Sequence, residues 1–97
     1  MHAVINRLSI MPDADWAALA RKVDEFNALV DDPDFRGASL IRIGDDAIAL
    51  VLFTNRAALD KLSREIAAPW FADNLRPYLA GAGERFIGEI VAGALAT

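Results

Sequence analysis

Seven consecutive residues, Ala47 to Phe53, carry no polar side chain. Successive side chains of a strand point to opposite faces, so Ile48, Leu50 and Leu52 would share one face and Ala47, Ala49, Val51 and Phe53 the other. Such a strand needs apolar cover on both sides. A chain of 97 residues makes one domain with one ordinary core, and whether that core can supply both covers depends on the order of the remaining elements.

That order can be read along the chain. His2 to Ile10 alternates, with Val4, Leu8 and Ile10 against Ala3, Ile5, Arg7 and Ser9, and predicts a first strand. Pro12 and Asp13 break the alternation, Asp13 being a suitable helix cap. Trp16, Leu19, Ala20, Val23, Phe26 and Val30 then recur at helical spacing until Asp31, Asp32 and Pro33. Phe35 or Arg36 to Ile43 reads as a second strand, joined through Gly44, Asp45 and Asp46 to the third, Ala47 to Phe53. Thr54 or Asn55 can cap a second helix with the stripe Leu59, Leu62 and Ile66, and a kink or restart is expected at Pro69. Trp70, Phe71, Asn74, Leu75, Tyr78 and Leu79 continue the helical spacing to Gly81 and Gly83. A last strand is expected from Arg85 to Ala92.

The resulting order, βαββαβ, predicts a single α+β domain over residues 1–97. Its fold would be ferredoxin-like, a four-stranded antiparallel sheet with both helices on one face. The opposite face is then uncovered, yet it receives one apolar set from the third strand. Ile41 and Ile43 from strand two, and Ile87 and Val91 from strand four, are read as joining it. The economical cover is a second copy of the same face, so a homodimer is expected. Arg7 and Glu89 are candidates for a cross-strand ion pair, because strands one and four are neighbours in this topology.

Composition narrows the chemistry. The net charge of −4 gives no electrostatic footprint for nucleic acid or anionic lipid. The absence of cysteine and the single histidine, His2, exclude disulfides, thiolate nucleophiles and zinc sites built from Cys or several His. No metal site is expected: Asp31, Asp32 and Asp34 lack calcium-loop spacing and read as a helix-ending loop. Ser9, Ser39 and Ser63 have no nearby histidine for nucleophilic catalysis, and Gly81-Ala82-Gly83 lacks the spacing and lysine of a phosphate loop. No apolar run approaches the roughly 20 residues of a membrane span, and the opening residues do not read as a signal peptide, so a cytoplasmic protein is expected.

Few residues remain as candidates. Asn6 places a carboxamide among Val4, Leu8 and Ile10 on the helix-facing side of strand one, where it must find hydrogen bonds or a ligand. Trp70, Asn74 and Tyr78 recur every four residues and would line a flat pocket, Trp70 stacking and Tyr78 donating a hydrogen bond or proton. Arg76 would hold a carboxylate or enolate. Each has a plainer structural reading: a backbone-satisfied amide, a packing face, an exposed charge.

The element order, the opening INRLSI before a Pro-containing turn, TNRAALDKL after the third strand and APWFADNLRPYLAG before the last together resemble the dimeric α/β-barrel superfamily. The nearest branch is the antibiotic biosynthesis monooxygenase-like proteins. The resemblance implies a homodimer with a pocket between sheet and helices in each subunit. It also implies a hydrophobic, aromatic small-molecule ligand and, in some members, oxidation by dioxygen with no separate metal or flavin cofactor. Of the haem-degrading set it carries over Asn6, while Leu62 and Asn74 stand near the tryptophan and histidine positions. Of the quinone-forming set, Ala49, Phe53 and Leu59 occupy the asparagine, tryptophan and tyrosine places. The expected function is therefore a cofactor-independent monooxygenase-like protein, with Asn6 and Tyr78 as catalytic groups and Trp70, Asn74 and Arg76 binding ligand. The alternative is a non-catalytic dimeric ligand-binding or interaction module of the same fold.

Overall fold

The structure is a computed structural model that describes residues 1–93. Strand β1 spans His2–Ser9, helix α1 Trp16–Leu29, β2 Phe35–Ile43, β3 Asp46–Phe53, α2 Arg56–Leu62, α3 Ala68–Asn74 and β4 Glu84–Glu89. A five-residue π-helical turn, Ser63–Ala67, joins α2 to α3, and a single 3₁₀ turn, Arg76–Tyr78, follows α3. The four strands form one antiparallel sheet in the order β2-β3-β1-β4, the ferredoxin-like α+β arrangement. Among the described residues no helix is long and apolar enough to cross a membrane.

Local chemistry sets the boundaries. Asp15, rather than Asp13, caps α1: its carboxylate accepts from the amides of Ala17 and Ala18 at 3.0 and 3.3 Å. Asp13 is used earlier, in a turn where Ala14 N–H donates to Met11 C=O with Pro12 at the second position. Asn55 caps α2 through the Ala58 amide. Pro69 sits in the first turn of α3, and the irregularity it causes lies just before it. A proline there offers no N–H and crowds the carbonyl four residues back, Glu65, and the widened turn Ser63–Ala67 accommodates both. The second helix stops at Asn74, well short of Gly81. Pro77 cannot continue it, so Tyr78 leaves the face shared by Trp70 and Asn74.

One face of the sheet carries Val4, Asn6, Leu8, Ala47, Ala49, Val51 and Phe53 toward the helices. The core built there falls into two clusters. Leu8, Ile10, Leu19, Ala47, Ala49 and Leu75 form one; Val4, Phe53, Leu59 and Leu62 form the other. Two ties hold α1 and its loop to the sheet. The Asn27 side chain accepts from Ala38 N–H at 2.8 Å and donates to Ala38 C=O at 3.0 Å. This occupies backbone groups of the edge strand β2 that would otherwise be open to another chain. Asp34 accepts the Thr54 hydroxyl at 2.6 Å and the Thr54 amide through its backbone carbonyl, so the Asp31–Asp34 loop serves as a structural joint.

The reverse face carries Ile5, Arg7, Ile48, Leu50, Leu52, Ile41, Ile43 and Phe86, and no element of the described chain covers it. Ile41, Ile43 and Phe86 are 46%, 55% and 52% exposed. Strand four enters with the opposite parity to the one read from sequence: Phe86 stands opposite Ile5 on the reverse face, and Ile87 faces the helices. Strand β4 ends at Glu89, and Val91 lies beyond it. The Arg7–Glu89 pairing is replaced for a geometric reason. In an antiparallel pair the end of β1 meets the start of β4, so Arg7 lies opposite Glu84, while Glu89 lies opposite His2 and approaches its Nε2 at 3.7 Å.

Candidate functional site

The two core clusters do not meet everywhere. Between them, under the helices, lies a cavity of about 220 Å³ bordered by Ala49 of the first and by Val4 and Phe53 of the second. Val51 of β3 completes its floor. Val23 and Phe26 of α1 form one wall, Trp70 and Phe71 of α3 the other, and Ser63, Ala67 and Ala68 bring the π-helical turn to its edge. The small side chains at Ala49, Ala67 and Ala68 leave the room. Phe26, Phe53, Trp70 and Phe71 supply much of the surface, the Phe26 and Trp70 ring centroids lying 4.7 Å apart; behind them Phe35 packs edge-on to Phe26 at 5.6 Å and to Phe53 at 6.1 Å between centroids.

Polar groups are few and grouped by place. Asn6 projects from β1 into the cavity, half-buried, and its carboxamide has no hydrogen-bond partner among the described residues. It sits opposite Arg85 in the β1–β4 register, and Arg85 lines the same cavity. Arg76, from the 3₁₀ turn, is a further lining residue. Both arginines are solvent-exposed and so mark the rim. No aspartate, glutamate or histidine lines the cavity. His2 lies at the start of β1 beside Glu89, with its Nδ1 buried and unbonded, outside the lining.

Of the residues singled out in the sequence, the cavity therefore brings together Asn6, Trp70 and Arg76. Asn74 is elsewhere: it accepts from Lys22 Nζ at 3.2 Å and donates to the Trp70 carbonyl at 3.0 Å, tying α3 to α1 beneath the tryptophan. Tyr78 packs against the Leu8, Ile10, Leu19 and Leu75 cluster and is not among the lining residues. The sequence points to Phe26 and Phe53 only as residues of α1 and β3, without marking them as cavity walls, and it does not single out Arg85. No sequence signal identifies Arg85, because the parity that turns it toward Asn6 is the one the sequence reading assigns to the opposite face. No group of three or more His, Cys, Asp or Glu able to hold a metal occurs among the described residues.

No protein-family model matches the chain, and no curated protein matches it by sequence. Solved structures match it over nearly its whole length. Rv0793 from Mycobacterium tuberculosis is 20% identical, with 97% of this chain and 98% of that one covered at a TM-score of 0.74. The heme-degrader MhuD from the same organism, solved with two hemes bound in its active site, is 16% identical over 97% and 99% at 0.74. SnoaB, a cofactor-independent oxygenase from Streptomyces nogalater, is 17% identical over 95% and 94% at 0.69. At these identities the likeness is one of fold. The chain has the fold of the antibiotic biosynthesis monooxygenase-like proteins that its sequence resembles.

Proposed function

We propose that the protein is a homodimer that binds a small aromatic molecule in this cavity and oxidises it with dioxygen as a cofactor-independent monooxygenase. The observation that carries the reading is the unpartnered Asn6 carboxamide presented to an aromatic-walled apolar cavity. A half-buried carboxamide with no bond inside the chain is free to donate to and accept from a ligand in the cavity, and Trp70 also lines it with a flat face. The volume, about 220 Å³, exceeds the ~150 Å³ that holds a benzene ring and falls below the ~300 Å³ of ordinary ligand pockets. One or two fused rings suit it. A haem does not, and no imidazole lines the cavity to serve as its axial ligand.

The lining offers no carboxylate or imidazole base. The substrate is therefore a phenol or enolisable ketone acidic enough to reach its anion with hydrogen-bond help, and Asn6 Nδ2 is placed to donate to the developing oxyanion. For an activated methylene, the anion gives its electrons to dioxygen and a carbon–oxygen bond forms. The resulting hydroperoxide then loses water as the second C–H proton departs, leaving a ketone. One oxygen atom ends in product, the other in water, and the substrate supplies all four electrons, so no further reductant is needed. The small cavity and the lack of a lining imidazole support this chemistry over haem degradation, and a cofactor-independent oxygenase of the same fold, SnoaB, gives a precedent for it. The homodimer is supported by the uncovered reverse face.

The test is a thermal-shift and oxygen-uptake screen over phenols and enolisable ketones of one or two fused rings. Stabilisation of the protein together with uptake that disappears in Asn6→Ala is the expected result. Stabilisation without uptake would overturn the catalytic part and leave a binding module; neither response from any compound would overturn the cavity as a ligand site.

A further inference from the structure

Resting on that reading of the cavity, we infer that its ligand carries a carboxylate, held at the rim by Arg85 and Arg76 while the aromatic body fills the interior. The chain as a whole is acidic, with 14 Asp and Glu against 10 Lys and Arg. The cavity inverts that balance: two arginines line it and no acid does. Two of the other arginines spend their guanidinium groups within the chain, whereas Arg7, Arg21, Arg36 and Arg64 make no such bond among the described residues and lie outside the cavity lining. Arg56 bridges Asp60 at 3.0 Å, and Arg42 donates to Gly44 C=O and lies over the Trp16 ring at 4.3 Å. Among the described residues Arg76 and Arg85 have neither a salt bridge nor a side-chain hydrogen bond.

The register adds direction. Arg85 and Asn6 are cross-strand partners on the helix-facing side of the sheet, so their side chains rise next to each other. Asn6 and Arg85 thus place polar groups together at the β1–β4 side of the cavity, and Phe26, Phe53 and Trp70 line much of the rest. A ligand matched to this division is amphiphilic, with rings inside and an anion outside. Guanidinium groups present paired donors that a carboxylate accepts in two parallel bonds, and a cationic rim on an acidic protein also raises the local concentration of anions. A neutral aromatic would leave both arginines unused.

A matched pair of probes tests this: 2-naphthoate and its uncharged isostere 2-naphthamide, titrated against the full chain by calorimetry. Naphthoate is expected to bind about tenfold or more tightly than the amide, with the preference shrinking as salt is raised. Arg85→Gln and Arg76→Gln should each weaken naphthoate severalfold and leave the amide within about twofold. Circular dichroism and thermal melting would establish that the variants fold. Equal affinity of the two probes, or arginine variants that weaken both alike, would overturn the carboxylate and leave the cavity reading standing. Failure of both probes to bind would overturn the cavity reading, and the carboxylate with it.

Discussion

Replacing Phe86 by serine should separate the proposed dimer into monomers without unfolding the subunit. Phe86 stands on the reverse face of the sheet, opposite Ile5, and is 52% exposed in the single chain. A phenylalanine side chain buries roughly 200 Å² when fully enclosed, so about half of that, ~100 Å², remains to be covered by a partner. At ~25 cal/mol per Å² this is ~2.5 kcal/mol, and a two-fold axis makes it count twice, ~5 kcal/mol per dimer. Association itself costs an order of ~4 to 15 kcal/mol. Losing ~5 kcal/mol would raise the dissociation constant by about three and a half decades if the ring were completely covered, and by roughly sixtyfold with half that cover. Sedimentation equilibrium of wild type, Phe86→Ser and the helix-surface control Lys61→Ser would measure it. The serine variant should keep its far-ultraviolet circular dichroism, because Phe86 belongs to neither core cluster. A wild-type chain that stays monomeric at about 10 μM, or a Phe86→Ser dimer as tight as the parent, would refute the argument that this face seeks a second copy.

Two further outcomes concern the scaffold around the cavity. Asn27→Ala removes both bonds to Ala38 and a third to the Val23 carbonyl, and should cost about 1 to 3 kcal/mol, read as a lower midpoint in urea unfolding. A midpoint unchanged from wild type would show that water replaces the clamp at no cost. Gly83→Ala should destabilise despite an ordinary backbone angle. A Cβ there would lie 2.8 Å from the Arg7 carbonyl oxygen and 2.9 Å from Leu8 Cδ2, so β4 would have to move away from β1. A melting temperature equal to that of wild type would contradict it.

Gly83 also shows where sequence reading met its limit. As a helix stop it looked sufficient, but Pro77 had already ended the helix, and the glycine serves a close approach between strands that only tertiary packing reveals. The element order was legible because strong local signals agreed: the two-sided run of β3, the α1 stripe, and the turn residues between β2 and β3. The parity of β4 was not, because Phe86 and Ile87 are both apolar and six residues give little pattern to weigh. Asn6 was legible as a polar residue inside an apolar strand. Arg85 was not, since a charge on a short terminal strand reads as solvated until its register with Asn6 is known. The aromatic walls come from α1, β3 and α3 together, and no single segment advertises them.

The π-helical turn between α2 and α3 bears on how such a cavity could be gained or lost. A turn of this kind holds one residue more than its α-helical equivalent, so everything after it is rotated by about a hundred degrees relative to what precedes it. Leu59 and Leu62, before it, point into the lower half of the interior; Trp70 and Leu75, after it, are dialled round to the upper half. Deleting a single amino acid from Ser63–Ala67 would remove that extra rotation and swing the indole away from Phe26, while Pro69 would still interrupt the hydrogen-bond ladder. The presence or absence of a binding chamber in this architecture can thus hinge on one codon.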